Sequence, residues 1–187
     1  MIAFDNTLNV KRDRPLQDKG IDLDALITDL GNTNGQTRQY VRISLVRIGE
    51  PAVDALIEIL NGKDGLTRWE AAKALSQIGS PKAAQALVKA LEDDLFSIRW
   101  LAAEGLRKLG SAGLKPLLKA LRQAPDSIRL REGAHHILHD LLSQEVLDKR
   151  LLAELRSVFS ALNCLSPAEV LPVSVMPALK VLEQLEN

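Results

Sequence analysis

Three histidines, His135, His136 and His139, are the only ones in this 187-residue chain, and they fall together in AHHILHD. On a helix His135 and His139 stand at i, i+4 and His136 and His139 at i, i+3. At either spacing two imidazoles can ligate one metal ion, with Asp140 beside them as a further donor. The ordinary use of helix-surface histidines is solvation, so a metal-dependent enzyme stands as one candidate and not as the leading one. The single cysteine, Cys164, has no second thiol for a disulfide or a CxxC pair. No GxSxG, P-loop or GxGxxG occurs, which leaves nucleophilic and nucleotide chemistry without a motif. No cofactor is expected.

A second set recurs along the chain. Arg38, Arg68, Arg99 and Arg131 open successive apolar-periodic segments, with Asp64 and Asp94 in the turns just before. Such spacing suits a ladder of caps and salt bridges that fixes one segment against the next, and a phosphate-binding row is the sharper alternative. Trp69 and Trp100 each follow one of these arginines. They lie on a helical ridge that reads Gln39, Ile43, Val46, then Trp69, Lys73, Ser76, then Trp100, Glu104, Arg107, then Glu132, His136, His139. This ridge is expected to be at least partly exposed, with Trp69, Trp100, Ile43 and Val46 as anchors for a protein partner. Packing of each indole over the groove between neighbouring helices is the plainer reading.

The elements that carry these residues are written as a repeat. TRWEAAKALSQIG returns as IRWLAAEGLRKLG, so that Arg68, Trp69, Leu75, Ile78 and Gly79 reappear 31 positions on as Arg99, Trp100, Leu106, Leu109 and Gly110. Self-similarity at that period marks a stacked-repeat architecture. TRQYVRISLVRIG carries the same columns through Arg38, Val41, Leu45, Ile48 and Gly49, and IRLREGAHHILHDLL carries them through Arg131, Ala134, Leu138 and Leu141. A second helix follows in each unit: Val53, Leu56, Ile57 and Leu60 match Ala84, Leu87, Val88 and Leu91, then Leu114, Leu117, Leu118 and Leu121. Pro51 suits a first helical turn, where its missing N–H has no partner in any case. Neither short helix buries its apolar face alone, so hairpins must stack. Leu23, Leu26, Ile27 and Leu30 form one face of an N-terminal half-repeat. From Ser143 to Leu162 the repeat is lost, SPAE at 166–169 reads as a capping box, and VMPALKVL echoes LKPLLKAL as a closing helix.

The pattern RxxAAxALxxIG followed by xPxAxxxLxxAL, carried most fully by Arg68, Ala71, Ala72, Leu75, Gly79, Pro81, Ala84, Leu87 and Leu91, resembles the HEAT-like repeat of the phycobilin-lyase type. The resemblance implies an all-α solenoid of about four to five helical hairpins with capping helices. Regular repeats span 21–142, less regular helices span 143–187, and residues 1–20 form a leader. It also implies that the second helices line an inner curve. Their charges change sign along the chain, from Glu50, Asp54 and Glu58 through Lys82, Lys89 and Glu92 to Lys115, Lys119 and Arg122. Asp54, Glu58, Lys89, Lys115, Lys119 and Arg122 are therefore the concave candidates for partner binding. One HEAT-like family, deoxyhypusine hydroxylase, holds iron with His-Glu pairs in its first helices. The corresponding dipeptides here are Trp69-Glu70 and Trp100-Leu101, so those ligands are missing.

Lys plus Arg and Asp plus Glu both number 24, which gives no global field for nucleic acid or a membrane surface and weighs against both as partners. The lone cysteine fits a reducing compartment, and no stretch reads as a secretory signal or a span. The function expected is a cytoplasmic scaffold for a protein partner, with self-association among the options. A phycobilin-lyase-like subunit, the one alternative in which a bilin enters, ranks next, and the histidine-based metalloenzyme follows.

Overall fold

The computed structural model describes residues 22–143, 147–164 and 167–185, and among them every regular element is helical. α1 (Leu23–Asp29) is capped by Asp22, whose carboxylate accepts from the N–H groups of Asp24 and Ala25 at 3.1 and 3.2 Å. The hairpins follow as α2 (Gly35–Ile48) with α3 (Val53–Leu60), α4 (Gly65–Ile78) with α5 (Ala84–Ala90), and α6 (Phe96–Leu109) with α7 (Ser111–Gln123). α8 (Ile128–Ser143), α9 (Lys149–Leu162) and α10 (Pro167–Leu185) complete the chain. The leader, and Ser166 of the capping box, lie outside the described residues.

The glycine that ends each of the first three long helices is there for its backbone. Gly49, Gly79 and Gly110 have φ of 73°, 70° and 56°, a region that costs side-chain-bearing residues strain. The chain then reverses at once, through 3-10 turns at Glu50–Ala52 and Pro81–Ala83 with proline in the first turn, and directly into α7 in the third unit. The repeat columns become the core. Leu45, Leu75 and Leu106 of the first helices are at most 1% exposed, as are Leu56, Leu87 and Leu117 of the second. Each such burial is worth roughly 1.5–3 kcal/mol.

Two layers result. α2, α4, α6 and α8 pack side by side in the first, and α3, α5 and α7 form the second against them. Small residues set the spacing between α4 and α6, where Ala71, Ala72, Ala102 and Ala103 are buried. The repeat breaks after α8. α9 packs on α8 and α10, and α10 packs on α7, so α10 takes the second-layer place beside α7 that a strictly continuing repeat would give to the helix next in sequence. Among the described residues no helix is long and apolar enough to cross a membrane.

Candidate functional site

The arginine column is a set of hooks. Arg38 Nη1 donates to the carbonyls of Asn32 and Thr33 (2.7 and 3.1 Å), Arg68 Nη1 to that of Lys63 (2.7 Å), and Arg99 Nη1 to those of Asp93 and Asp94 (2.9 and 3.1 Å). Each guanidinium thereby closes the turn that precedes its own helix. The first two also reach the next unit: Arg38 Nε lies 3.3 Å from Glu70, and Arg68 pairs with both oxygens of Asp93 at 2.8 and 3.1 Å. Arg99 and Arg131 have no carboxylate partner among the described residues, and Arg131 Nε is buried without a hydrogen bond.

Of the acids expected in this ladder, Asp64 serves as a cap and Asp94 pairs outside it. Asp64 caps α4, its carboxylate accepting from the Thr67 N–H at 2.8 Å, and that bond holds its pKa below the ordinary aspartate value. Asp94 meets Arg129 at 3.0 Å on the exposed surface. The partners are instead Asp93, one residue earlier, and Glu70. Burial pushes the Asp93 pKa up, but the hydrogen bonds from Arg68 and the Leu95 N–H outweigh it, and the carboxyl sits below its usual value. Glu70 is only 4% exposed, yet it is held by Arg38 and by Arg42 Nη1. In TRWEAA a glutamate reads as a solvated side chain. The one signal for its burial is that Arg42, 28 residues earlier, stands on the adjacent helix.

The two tryptophans, equivalent in the repeat, are not equivalent in space. Trp69 is half-buried against the core, with the Arg42 guanidinium 5.6 Å from its ring centre. Trp100 is 48% exposed. Its neighbours are His136 of α8, with ring centres 4.8 Å apart, and Phe96 one turn back at 6.5 Å. Together with Ala103 and Gly133 they wall a groove of about 150 Å³ between α6 and α8, rimmed by Arg99, Arg129 and Glu132. Of the other ridge residues, Ile43 is exposed and Val46 is half-buried against the core. Ser76 is buried, because α6 comes in over it at Gly105, where an added Cβ would stand 3.4 Å from Ser76. Tyr40 and Phe96, 67% and 68% exposed, extend the ridge and were not singled out in the sequence, although i, i+3 from Tyr40 to Ile43 and i, i+4 from Phe96 to Trp100 carry the signal.

The histidines divide between two neighbours. His135 and His139 lie against Phe159 of α9, at 4.6 and 6.3 Å, and their own rings are 6.5 Å apart. His136 faces α6, with Nε2 3.4 Å from Glu104. Arg107 holds that glutamate at 3.0 Å and also reaches Asp140 at 3.1 Å. The Arg107 hydrogen bonds, more than that from His136, depress the Glu104 pKa. Among the described residues no three of His, Cys, Asp or Glu converge on a point that could hold a metal ion. A wider cleft of about 350 Å³ lies beside His135, lined also by Arg131, Leu162 and Asn163.

On the second layer, Asp54 and Glu58 of α3, Lys89 of α5, and Lys119 and Arg122 of α7 are exposed, while Lys115 is half-buried. Two bonds link α3 to the second unit: Lys82 Nζ to Asp54 at 2.6 Å and Lys89 Nζ to the Asn61 side-chain carbonyl at 2.8 Å. Arg122 Nη1 lies 3.1 Å from Met176 Sδ of α10. The apolar side chains Val170, Val173 and Met176 are 40%, 73% and 37% exposed along that last helix.

Paired helices stacked in two layers around one continuous core, with a recurring arginine hook, define an α-solenoid. The family model for HEAT repeats matches residues 23–107 and again 53–139, and the chain belongs to that family. Three crystal structures of engineered proteins from the Northeast Structural Genomics Consortium are similar. The first shares 17% identity over 87% of this chain and 97% of its own, with a TM-score of 0.43. The second shares 20% over 86% and 47%, at 0.41, and the third 19% over 87% and 99%, at 0.42. No curated protein matches the chain.

Proposed function

We propose that the protein is a scaffold that binds a partner protein through its first-helix ridge, with one apolar side chain of the partner seated between α6 and α8. The groove beside Trp100 is the observation that carries this. A half-exposed indole, an exposed phenylalanine and an imidazole around a small floor form the kind of aromatic anchor point that dominates protein interfaces. Its volume supports that reading. At about 150 Å³ it is well below the roughly 300–1,000 Å³ of pockets that enclose small molecules. A groove of that size suits an apolar side chain of a protein partner. The polar ends of the groove, Arg99, Arg129 and Glu132, supply the rim. One unpaired cysteine suits a reducing cytoplasm.

The test is capture from the native host by wild type and by the double variant Phe96→Ala, Trp100→Ala, followed by calorimetry with the partner so identified. Affinity should fall about 30-fold or more, as for hot-spot truncation. Equal affinity of both proteins would remove the groove from the interface.

A further inference from the structure

The second layer carries a charge pattern that is complementary to itself. Because the repeat columns superpose, Glu58 of α3, Lys89 of α5 and Lys119 of α7 occupy one position on successive helices, and Asn61, Glu92 and Arg122 occupy another. The first series thus runs from acidic to basic, and the second from neutral through acidic to basic. Glu58 has no ion-pair partner among the described residues, and neither does Lys119. Arg122 meets the Met176 thioether instead of a carboxylate. Farther along, α10 carries the exposed Lys180 and Glu183, whose charges offset each other, and Glu50 adds to the acidic end.

A partner that fits this face must present the opposite order of charges, and a second copy of the chain does so. We infer that the second-helix face is a two-fold self-association surface, with the axis running parallel to the helices along α5. Rotation about that axis reverses helix order and keeps height, so α3 of one copy lies on α7 of the other and Glu58 meets Lys119 twice per dimer. Such an isologous contact is the commonest symmetry of homo-oligomers. On the axis itself Lys89 would face its own copy, but its ammonium is drawn aside toward Asn61 of α3, and Lys82 toward Asp54. This surface lies on the layer opposite the Trp100 ridge and does not depend on the partner proposed there.

The size of the face sets the strength. Three helices at 8–10 Å spacing, about 10–20 Å long, offer roughly 400 Å² per copy. Stable interfaces use about 800 Å² per partner, so the dimer is a weak one that depends on its charges.

Sedimentation of the full chain in about 20 mM and about 500 mM salt is the experiment, on wild type, Glu58→Lys, Lys119→Glu and the double variant carrying both. Both substitutions are at exposed positions, and circular dichroism checks that each variant folds. Wild type should dimerise at low salt and weaken about tenfold or more at high salt. Each single variant places like charges in both contacts and should weaken the dimer about tenfold or more. The double variant restores opposite charges in both contacts within one chain and should return to within about threefold of wild type. Three results overturn the inference: wild type monomeric up to about 1 mM at low salt, a dimer indifferent to both single changes, or a double variant no better than either single.

Discussion

The unit α4–α5 and the unit α6–α7 are written with nearly the same words, and they treat their shared tryptophan in opposite ways. Trp69 has a guanidinium over it because α2 carries Arg42, and Arg42 is held in place by the buried Glu70. At the corresponding positions one unit on stand Ala72 and Leu101, both buried and both apolar. Among the described residues no guanidinium stands over Trp100 as Arg42 does over Trp69, and the rings against the indole are those of His136 and Phe96. A repeat position therefore fixes where a side chain starts and not what lies above it. The cover comes from the preceding unit, so exposure in a solenoid is a property of pairs of repeats.

The comparison breaks most sharply at the carboxylate. Glu70→Leu copies into the earlier unit the residue that the later one has at Leu101, and it removes the carboxylate from Arg38 and Arg42, whose side chains are 18% and 14% exposed. Loss of one partner of a largely buried ion pair costs about 3 kcal/mol, read from the denaturation midpoint. An unchanged midpoint would mean that the two units differ only in appearance.

Next in size is the indole itself. Trp69→Ala should cost about 2 kcal/mol of stability, since the ring packs on the core, and Trp100→Ala less than about 1 kcal/mol. In single-tryptophan variants iodide should quench Trp100 much more than Trp69. Equal quenching would erase the distinction between the units.

The smallest effect lies in the turn between them. Asp93 has a folded pKa below its unfolded value, so its contribution is complete above the usual aspartate pKa near 4 and is lost as pH falls through the folded value. Asp93→Asn should lower stability at pH 7 by about 1 kcal/mol and flatten the acid limb of the stability curve. Melting temperatures at pH 7 and near pH 3 give the slope, and the same slope in both proteins would leave Arg68 without its assigned counter-charge.

The fold was open to sequence reading because its determinants repeat. The leucine columns, the glycine stops and the prolines after them each occur more than once, and Leu45, Leu75 and Leu106 are buried where the period puts them. The site was less open because its determinants do not repeat. Glu70 is buried by an arginine one unit away, Asp93 rather than Asp94 points at Arg68, and the histidines separate because Phe159, a residue outside the repeat, lies against two of them. Periodicity carries no information about such one-off neighbours.

The out-of-order seating of α10 beside α7 also bears on how the chain is made. In a strictly linear array each repeat closes on its predecessor as it leaves the ribosome, and folding advances one hairpin at a time. Here one flank of α7 waits through the synthesis of α8 and α9 until α10 arrives. This packing predicts that the units through α5 follow the sequential route, whereas α7 to α10 close as a block joined at its two ends. In native-state hydrogen exchange that block should open together, and the amides of α7 should report on the attachment of the last helix.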